Sequence, residues 1–170
     1  DFAMTADFKT FTNPDKAIRN DLARLNGARV VSAIEGSAKT KIDETLIKKL
    51  TGDDRMTVRF LFKEEFEYSP QYKIFLATNH LPQIEGKDYA IWRRICPIPF
   101  KVKISGQERI KGFADKKLKD EYPGILNWAI QGCLDWQQNG LNIPDEIKQA
   151  KDEYKGEMDI VGKFIQDCCV

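Results

Sequence analysis

Two short apolar runs, each ending on a polar side chain, constrain this chain most: ARVVSAIE (Ala28–Glu35) and KIFLATN (Lys73–Asn79). Short apolar runs, β-branched in part, are what a buried strand of a parallel sheet requires. Parallel neighbours need a crossover segment between them, so the chain is expected to be α/β. Ile95–Phe100 reads as a third strand, placed near an edge by its two prolines. In an open parallel sheet, ligands gather beyond the carboxyl ends of the strands. Glu35 and Asn79 stand at those ends.

The intervening sequence supplies the crossover and a ribbon. Asp43 is placed to cap a helix running to Leu50, with Leu46, Ile47 and Leu50 inward and Gly52 as its stop. Met56–Phe62 alternates as a half-exposed strand, broken only by Leu61. Lys63-Glu64-Glu65 would turn it and Phe66–Tyr68 would return it. Upstream, Phe2, Phe8 and Phe11 punctuate a mixed lead-in with a turn at Asn13-Pro14, and Asp15–Leu25 has helical spacing ended by Gly27.

Beyond Phe100 the pattern becomes helical. Pro123 suits a first turn, and Leu126, Ala129, Ile130, Cys133 and Leu134 share one face of a helix that Gly140 ends. Pro144 opens another helix to about Tyr154, and Asp159–Cys168 a last one. The expected division is a core over residues 1–110 and a helical carboxyl-terminal subdomain over 111–170.

With 170 residues, 42% of them hydrophobic, the chain can bury one core and a small appendage. Its net charge of +1 is silent about partners, but charge is clustered. Lys39–Lys63 holds seven basic residues, Lys49, Arg59 and Lys63 among them, against four acids, and Lys101–Asp120 holds seven against three. Such clusters suit a phosphate-facing surface, a solvated face being the plain alternative. Cys96, Cys133, Cys168 and Cys169 lack metal-ligand spacing and His80 is the sole histidine, so zinc is not expected. Their separation fits a reducing cytoplasm. Neither a membrane span nor a signal peptide is legible, and an opening on Asp1 points to a piece of a longer protein.

Several side chains could carry chemistry. A carboxylate at Glu35 could hold magnesium through water and polarise an attacking water; it could equally be a strand-end acid in solvent. Asn79 offers a donor and an acceptor to fix a water against a phosphate, and asparagine is also a common turn residue. Arg93 and Arg94 could neutralise charge on a transferring phosphoryl group of an adjacent subunit, or simply pair or stack within the chain. Phe62 and Lys63 at a ribbon tip could grip a single strand by stacking and charge, or merely decorate a surface hairpin. Gly36-Ser37-Ala38-Lys39-Thr40 is not a phosphate loop, because G-x-x-x-x-G-K-[ST] needs glycines where Ala33 and Ala38 stand.

Taken together, NDLARLNGARVVSAIE, KKLTGDDRMTVRFLFKEEFEYSPQYKIFLATNHLP, IWRRICPIPF and PGILNWAIQGCLDWQQNGL resemble the superfamily 3 helicases, in particular the helicase end of phage and plasmid primase-helicases. The likeness runs from about Asp21 to Val170. It implies an AAA+-like P-loop NTPase sheet, incomplete because no Walker A segment is present, followed by the helical appendage. It also implies a hexameric ring that binds ATP and Mg2+ between subunits, moves on single-stranded or forked DNA, and works in the bacterial host cytoplasm without a membrane. Glu35 would be the acid of the second ATPase motif, Asn79 the sensor, Arg94 the finger with Arg93 beside it, and Lys63 the hairpin cation with Phe62 next to it. The family often carries a second acid two residues after the first, where Ser37 stands here. The expected activity is that of a phage, prophage or plasmid replicative helicase whose isolated piece does not hydrolyse ATP. The competing expectation is a stand-alone single-stranded nucleic-acid-binding or oligomerisation module without ATP chemistry.

Overall fold

The two apolar runs lie side by side. In the computed structural model, which describes residues 2–12, 19–34, 40–86, 88–159, 162, 164 and 168, β1 (Ala3–Thr5), β2 (Val30–Ile34) and a strand at Lys73–Ala77 form a parallel sheet with β2 in the middle. Val31 pairs with Met4 on one side and Ile74 on the other, and the register continues to Ile34 opposite Ala77. The first crossover carries a 3-10 turn (Phe8–Phe11) and α1 (Asn20–Ala23). The second carries α2 (Glu44–Leu50) and an antiparallel ribbon of β3 (Met56–Arg59) and β4 (Glu65–Tyr68), before β5 (Lys73–Ala77) and the short α3 (Tyr89–Trp92).

The chain divides into two compact units, Asp1–Cys96 with Asp152–Val170, and Pro97–Lys151. In the first, α2 forms as its sequence predicts: the Asp43 carboxylate accepts from the Leu46 N–H at 3.0 Å, and Leu46, Ile47 and Leu50 are buried. Each such buried leucine or isoleucine contributes roughly 1.5–3 kcal/mol. Thr51, not Gly52, ends the helix, its N–H and its hydroxyl both donating to the Ile47 carbonyl. The ribbon base joins the same core through Met56, Val58 and Tyr68, with Phe60 stacked on Phe66 and Tyr68 tilted against Phe66 along one face. Tyr68 donates to the Leu22 carbonyl at 3.0 Å and shares a hydrogen bond of 3.1 Å with the Tyr72 hydroxyl.

Several expectations are corrected. The Lys73–Asn79 run is half-exposed rather than buried: β2 and β5 alternate, leaving Val30, Ile34 and Phe75 on an open face while Val31 and Ala33 are buried. Ile95–Phe100 forms no strand, since Pro97 and Pro99 lack N–H groups and none of the described strands pairs with it. The strand expected to reach Phe62 stops at Arg59, because the chain turns from Phe60.

In the second unit a π-helical turn (Ala114–Leu118) runs into α4 (Lys119–Asn139), so Pro123 lies inside the helix and not in its first turn. No residue of α4 is buried, the expected inward set Leu126, Ala129, Ile130, Cys133 and Leu134 included. Gly140, at φ 73°, does end the helix, in a conformation that costs glycine little. α5 (Asp145–Met158) follows Pro144 and runs past Tyr154. Glu35, Ser37, Lys39, residues 13–18 and most of the expected last helix lie outside the described residues.

Candidate functional site

The candidate side chains fall into three places. The first is the ribbon tip. Phe60–Lys63 forms a turn closed by the Lys63 N–H on the Phe60 carbonyl at 3.1 Å. Phe62 there has φ 61°, a left-handed conformation that a β-carbon makes unfavourable. The result is a ring 97% exposed, held outward by the backbone. Lys63 is exposed beside it, its Nζ 6.0 Å from the centre of the Phe60 ring. Arg59 stands below the tip, opposite Glu65, and Lys49 is exposed on α2. An aromatic face and a cation on one projecting turn can stack a base and meet a phosphate.

The second place is the carboxyl edge of the parallel sheet. β2 and β5 end level with each other at Ile34 and Ala77. Asn79 follows β5 by two residues and is exposed. The Thr78 hydroxyl accepts from the His80 N–H at 3.1 Å and donates to the His80 carbonyl at 2.5 Å, closing the turn that carries it. The position of Glu35, next after β2, lies outside the described residues.

The third place is the end of α3. Asp88 caps this helix, accepting from the Ile91 N–H at 2.9 Å, and Ile91 and Trp92 are buried. Lys48 beside it, and then the Ile91 N–H, hold the Asp88 carboxyl below its ordinary range. Arg94 is partly buried: Nε donates to the Thr51 hydroxyl at 3.0 Å and Nη1 to the Ala90 carbonyl at 2.6 Å. Two of its five donors are thereby engaged, and the other three make no hydrogen bond among the described residues. Arg93 is exposed, with no hydrogen bond or ion pair on its side chain among the described residues. Arg94 therefore makes hydrogen bonds within the chain, but neither arginine makes a salt bridge or an aromatic stack among the described residues.

No hydrogen bond or ion pair joins these three places among the described residues. Nor do those residues contain a group of three or more histidines, cysteines or acids able to hold a metal ion. The sequence has no G-x-x-x-x-G-K-[ST]. No described helix is long and apolar enough to cross a membrane.

Sequence reasoning missed one group. Glu44, Lys48 and Thr51 lie along one side of α2 and all contact the segment from residue 85 to 94. Their spacing, i, i+4 and i+7, was the available signal, but a polar helix face is ordinarily solvated.

Comparison with known proteins adds a direction. No family model matches the chain. The chain is 31% identical over 166 positions to a protein of Acanthamoeba polyphaga mimivirus named "Putative helicase L207/L206", covering 88% of this chain and 17% of that protein. It is 32% identical over 186 positions to "Putative helicase 022R" of Frog virus 3 (isolate Goorha), covering 98% and 19% respectively. A helicase-named protein of Sputnik virophage is 24% identical over 98% of this chain and 24% of its own length. The chain thus spans about a fifth of the length of these relatives. A mixed α/β chain with a parallel sheet, similar to one segment of proteins named as helicases of large DNA viruses, is what geometry and comparison together establish.

Proposed function

We propose that this chain is the sensing and DNA-touching part of an ATP-dependent replicative DNA helicase of the superfamily 3, primase-helicase type, built on an AAA+-like sheet. The observation that carries the reading is the order of parts along the chain, two of them following neighbouring strands of one parallel sheet. A strand is followed in sequence by Glu35, a projecting ribbon by its outward Phe62 and Lys63, a neighbouring strand by Asn79, and a capped helix by Arg93 and Arg94. The relatives named as helicases support the same reading and turn it toward a large DNA virus, with a phage, prophage or plasmid as the other home.

Each part has a task in this reading. Glu35 and Asn79 sit after adjacent strands, where an acid and an amide can orient water against a terminal phosphate. Arg94 reaches the nucleotide of the next subunit in a ring, its guanidinium already anchored on one side by Thr51 and Ala90. Phe62 and Lys63, with Arg59 and Lys49 as outlying cations, contact single-stranded or forked DNA. ATP and Mg2+ are gripped by a phosphate loop elsewhere in the parent protein, so the 170-residue chain alone is expected to be inactive as an ATPase.

The test uses the full-length parent. DNA-stimulated ATP hydrolysis should fall at least about a hundredfold in Glu35→Ala and in Arg94→Ala. Arg93→Ala should fall much less, since its side chain has no anchor among the described residues. Undiminished hydrolysis in Glu35→Ala and Arg94→Ala would sink the assignment. A parent gene without any phosphate-loop motif would favour the other reading, a nucleic-acid-binding or oligomerisation module for which the free ribbon tip is the supporting observation.

A further inference from the structure

The segment between Asn79 and Arg94 is clasped along its length. Glu44, in the first turn of α2, accepts through Oε1 from the N–H groups of Glu85 at 2.8 Å and Gly86 at 2.7 Å. One turn on, Lys48 donates to Asp88 at 2.6 Å, and at the helix end the Thr51 hydroxyl accepts from Arg94 Nε at 3.0 Å. These three positions share a face at successive turns, while Leu46, Ile47 and Leu50 anchor the adjoining face in the core. A helix held in the core by one side therefore presents a row of three polar contacts on another.

Gly86 records how close that contact is, because a β-carbon there would overlap the Glu44 carboxylate. The segment is held from elsewhere too. Trp92 Nε1 donates to the Gly86 carbonyl at 2.9 Å, Tyr154 Oη donates to the Pro82 carbonyl, and the Trp92 and Tyr154 rings meet edge-on at 5.3 Å. Lys41 adds an ion pair to Glu85 at 2.5 Å. Exposed ion pairs alone would stabilise the fold by little. Two backbone N–H groups captured by one carboxylate, and a guanidinium captured by a hydroxyl, do something else: they fix a position.

We infer that Glu44, Lys48 and Thr51 are positioning residues that set the guanidinium of Arg94 in its working place. The inference rests on the helicase reading, in which Arg94 acts on a phosphoryl group. An arginine displaced by about an ångström loses much of its effect on such a group, so a rigid mount is functionally valuable. The mount is continuous with the ribbon, since only residues 52–55 separate Thr51 from β3.

The test uses the full-length parent and two readouts. Hydrogen exchange across residues 84–94 should speed up at least about tenfold in Glu44→Ala and Gly86→Ala, but not in Glu44→Gln, which keeps a carbonyl acceptor. In ATPase assays, Thr51→Val should lower kcat about tenfold or more with KM for ATP within about twofold, and Thr51→Ser, which restores the hydroxyl, should recover it. Unchanged exchange in both Glu44→Ala and Gly86→Ala would overturn the clasp. Faster exchange with wild-type kcat in Thr51→Val would overturn its positioning role. A wild-type parent without ATPase would instead fail the helicase reading, with the exchange readout still deciding whether the clasp exists.

Discussion

α2 and α4 show two outcomes of the same kind of sequence pattern. α2 is seven residues long and buries Leu46, Ile47 and Leu50; α4 is 21 residues long and buries nothing. Both have a capping or stop residue and a run of apolar positions, and α4 has more of them. Trp128 is 79% exposed and Leu126 60%, whereas Leu50 is 1% exposed. The difference lies in what the chain supplies as cover. The first unit has a sheet face and a ribbon base against which a helix can lay its apolar side, while Pro97–Lys151 has no buried core of its own among the described residues. Periodicity reports that a face wants burial. It does not report that a partner is present.

That contrast can be broken or sharpened by measurement. The largest effect is expected from Leu50→Ala, which should destabilise the 170-residue chain by about 2–5 kcal/mol in urea unfolding. A loss below about 1 kcal/mol would mean that the α2 side of the comparison is not a packed core. Next, Asp43→Ala should cost about 1 kcal/mol by removing the hydrogen bond to the Leu46 N–H. A smaller loss would show that packing alone holds α2.

A pH dependence tests the same unit. Burial pushes the Tyr68 and Tyr72 hydroxyls above their ordinary value of 10.0, the hydrogen bond from Tyr72 partly offsetting this for Tyr68 and adding to it for Tyr72. A raised pKa means that the fold favours the neutral phenol. Its contribution is complete below the ordinary value and is lost as pH rises through it toward the higher folded value. Melting temperature should therefore drop above about pH 10, and less steeply in Tyr72→Phe than in the parent chain. Parallel profiles for the two proteins would contradict this.

The ribbon tip should separate stability from function. Phe62→Gly should stabilise the chain by roughly 0.5–1 kcal/mol, because glycine adopts a positive φ without penalty. The same change should weaken single-stranded DNA binding. Lys63→Ala should weaken binding as well and lower its salt slope by about one. Unaltered DNA affinity in both variants would remove the tip from the contact surface. The smallest effect is expected in the second unit, where Trp128→Ala should shift stability by less than about 0.5 kcal/mol. A loss comparable to that of Leu50→Ala would show that α4 is covered in solution, and the comparison would fall.

Much of the first unit was legible in the residues. The strand Val30–Ile34, the cap at Asp43, the inward set on α2 and the ribbon from Met56 to Tyr68 each follow from a local rule of period or capping that neighbouring residues suffice to satisfy. β1 was not legible, because three residues carry too little pattern and the strand exists only through its pairing with β2. The strand expected at Ile95–Phe100 fails for the converse reason: an apolar segment becomes a strand only beside another edge, and its prolines withhold two N–H groups from any such pairing.

The candidate site divides along the same line. Its residue types and their order were set by the sequence: Glu35, Phe62 with Lys63, Asn79, and the Arg93–Arg94 pair could be named without coordinates. Which arginine is anchored, that Phe62 is thrown outward by a left-handed backbone, and that Glu44, Lys48 and Thr51 hold the segment leading to Arg94 were decided by tertiary structure alone. The physical reason is distance along the chain. Capping, periodicity and turn chemistry act within a few residues, whereas the clasp joins side chains on α2 to groups about forty residues further on, which only the folded core brings within hydrogen-bond reach.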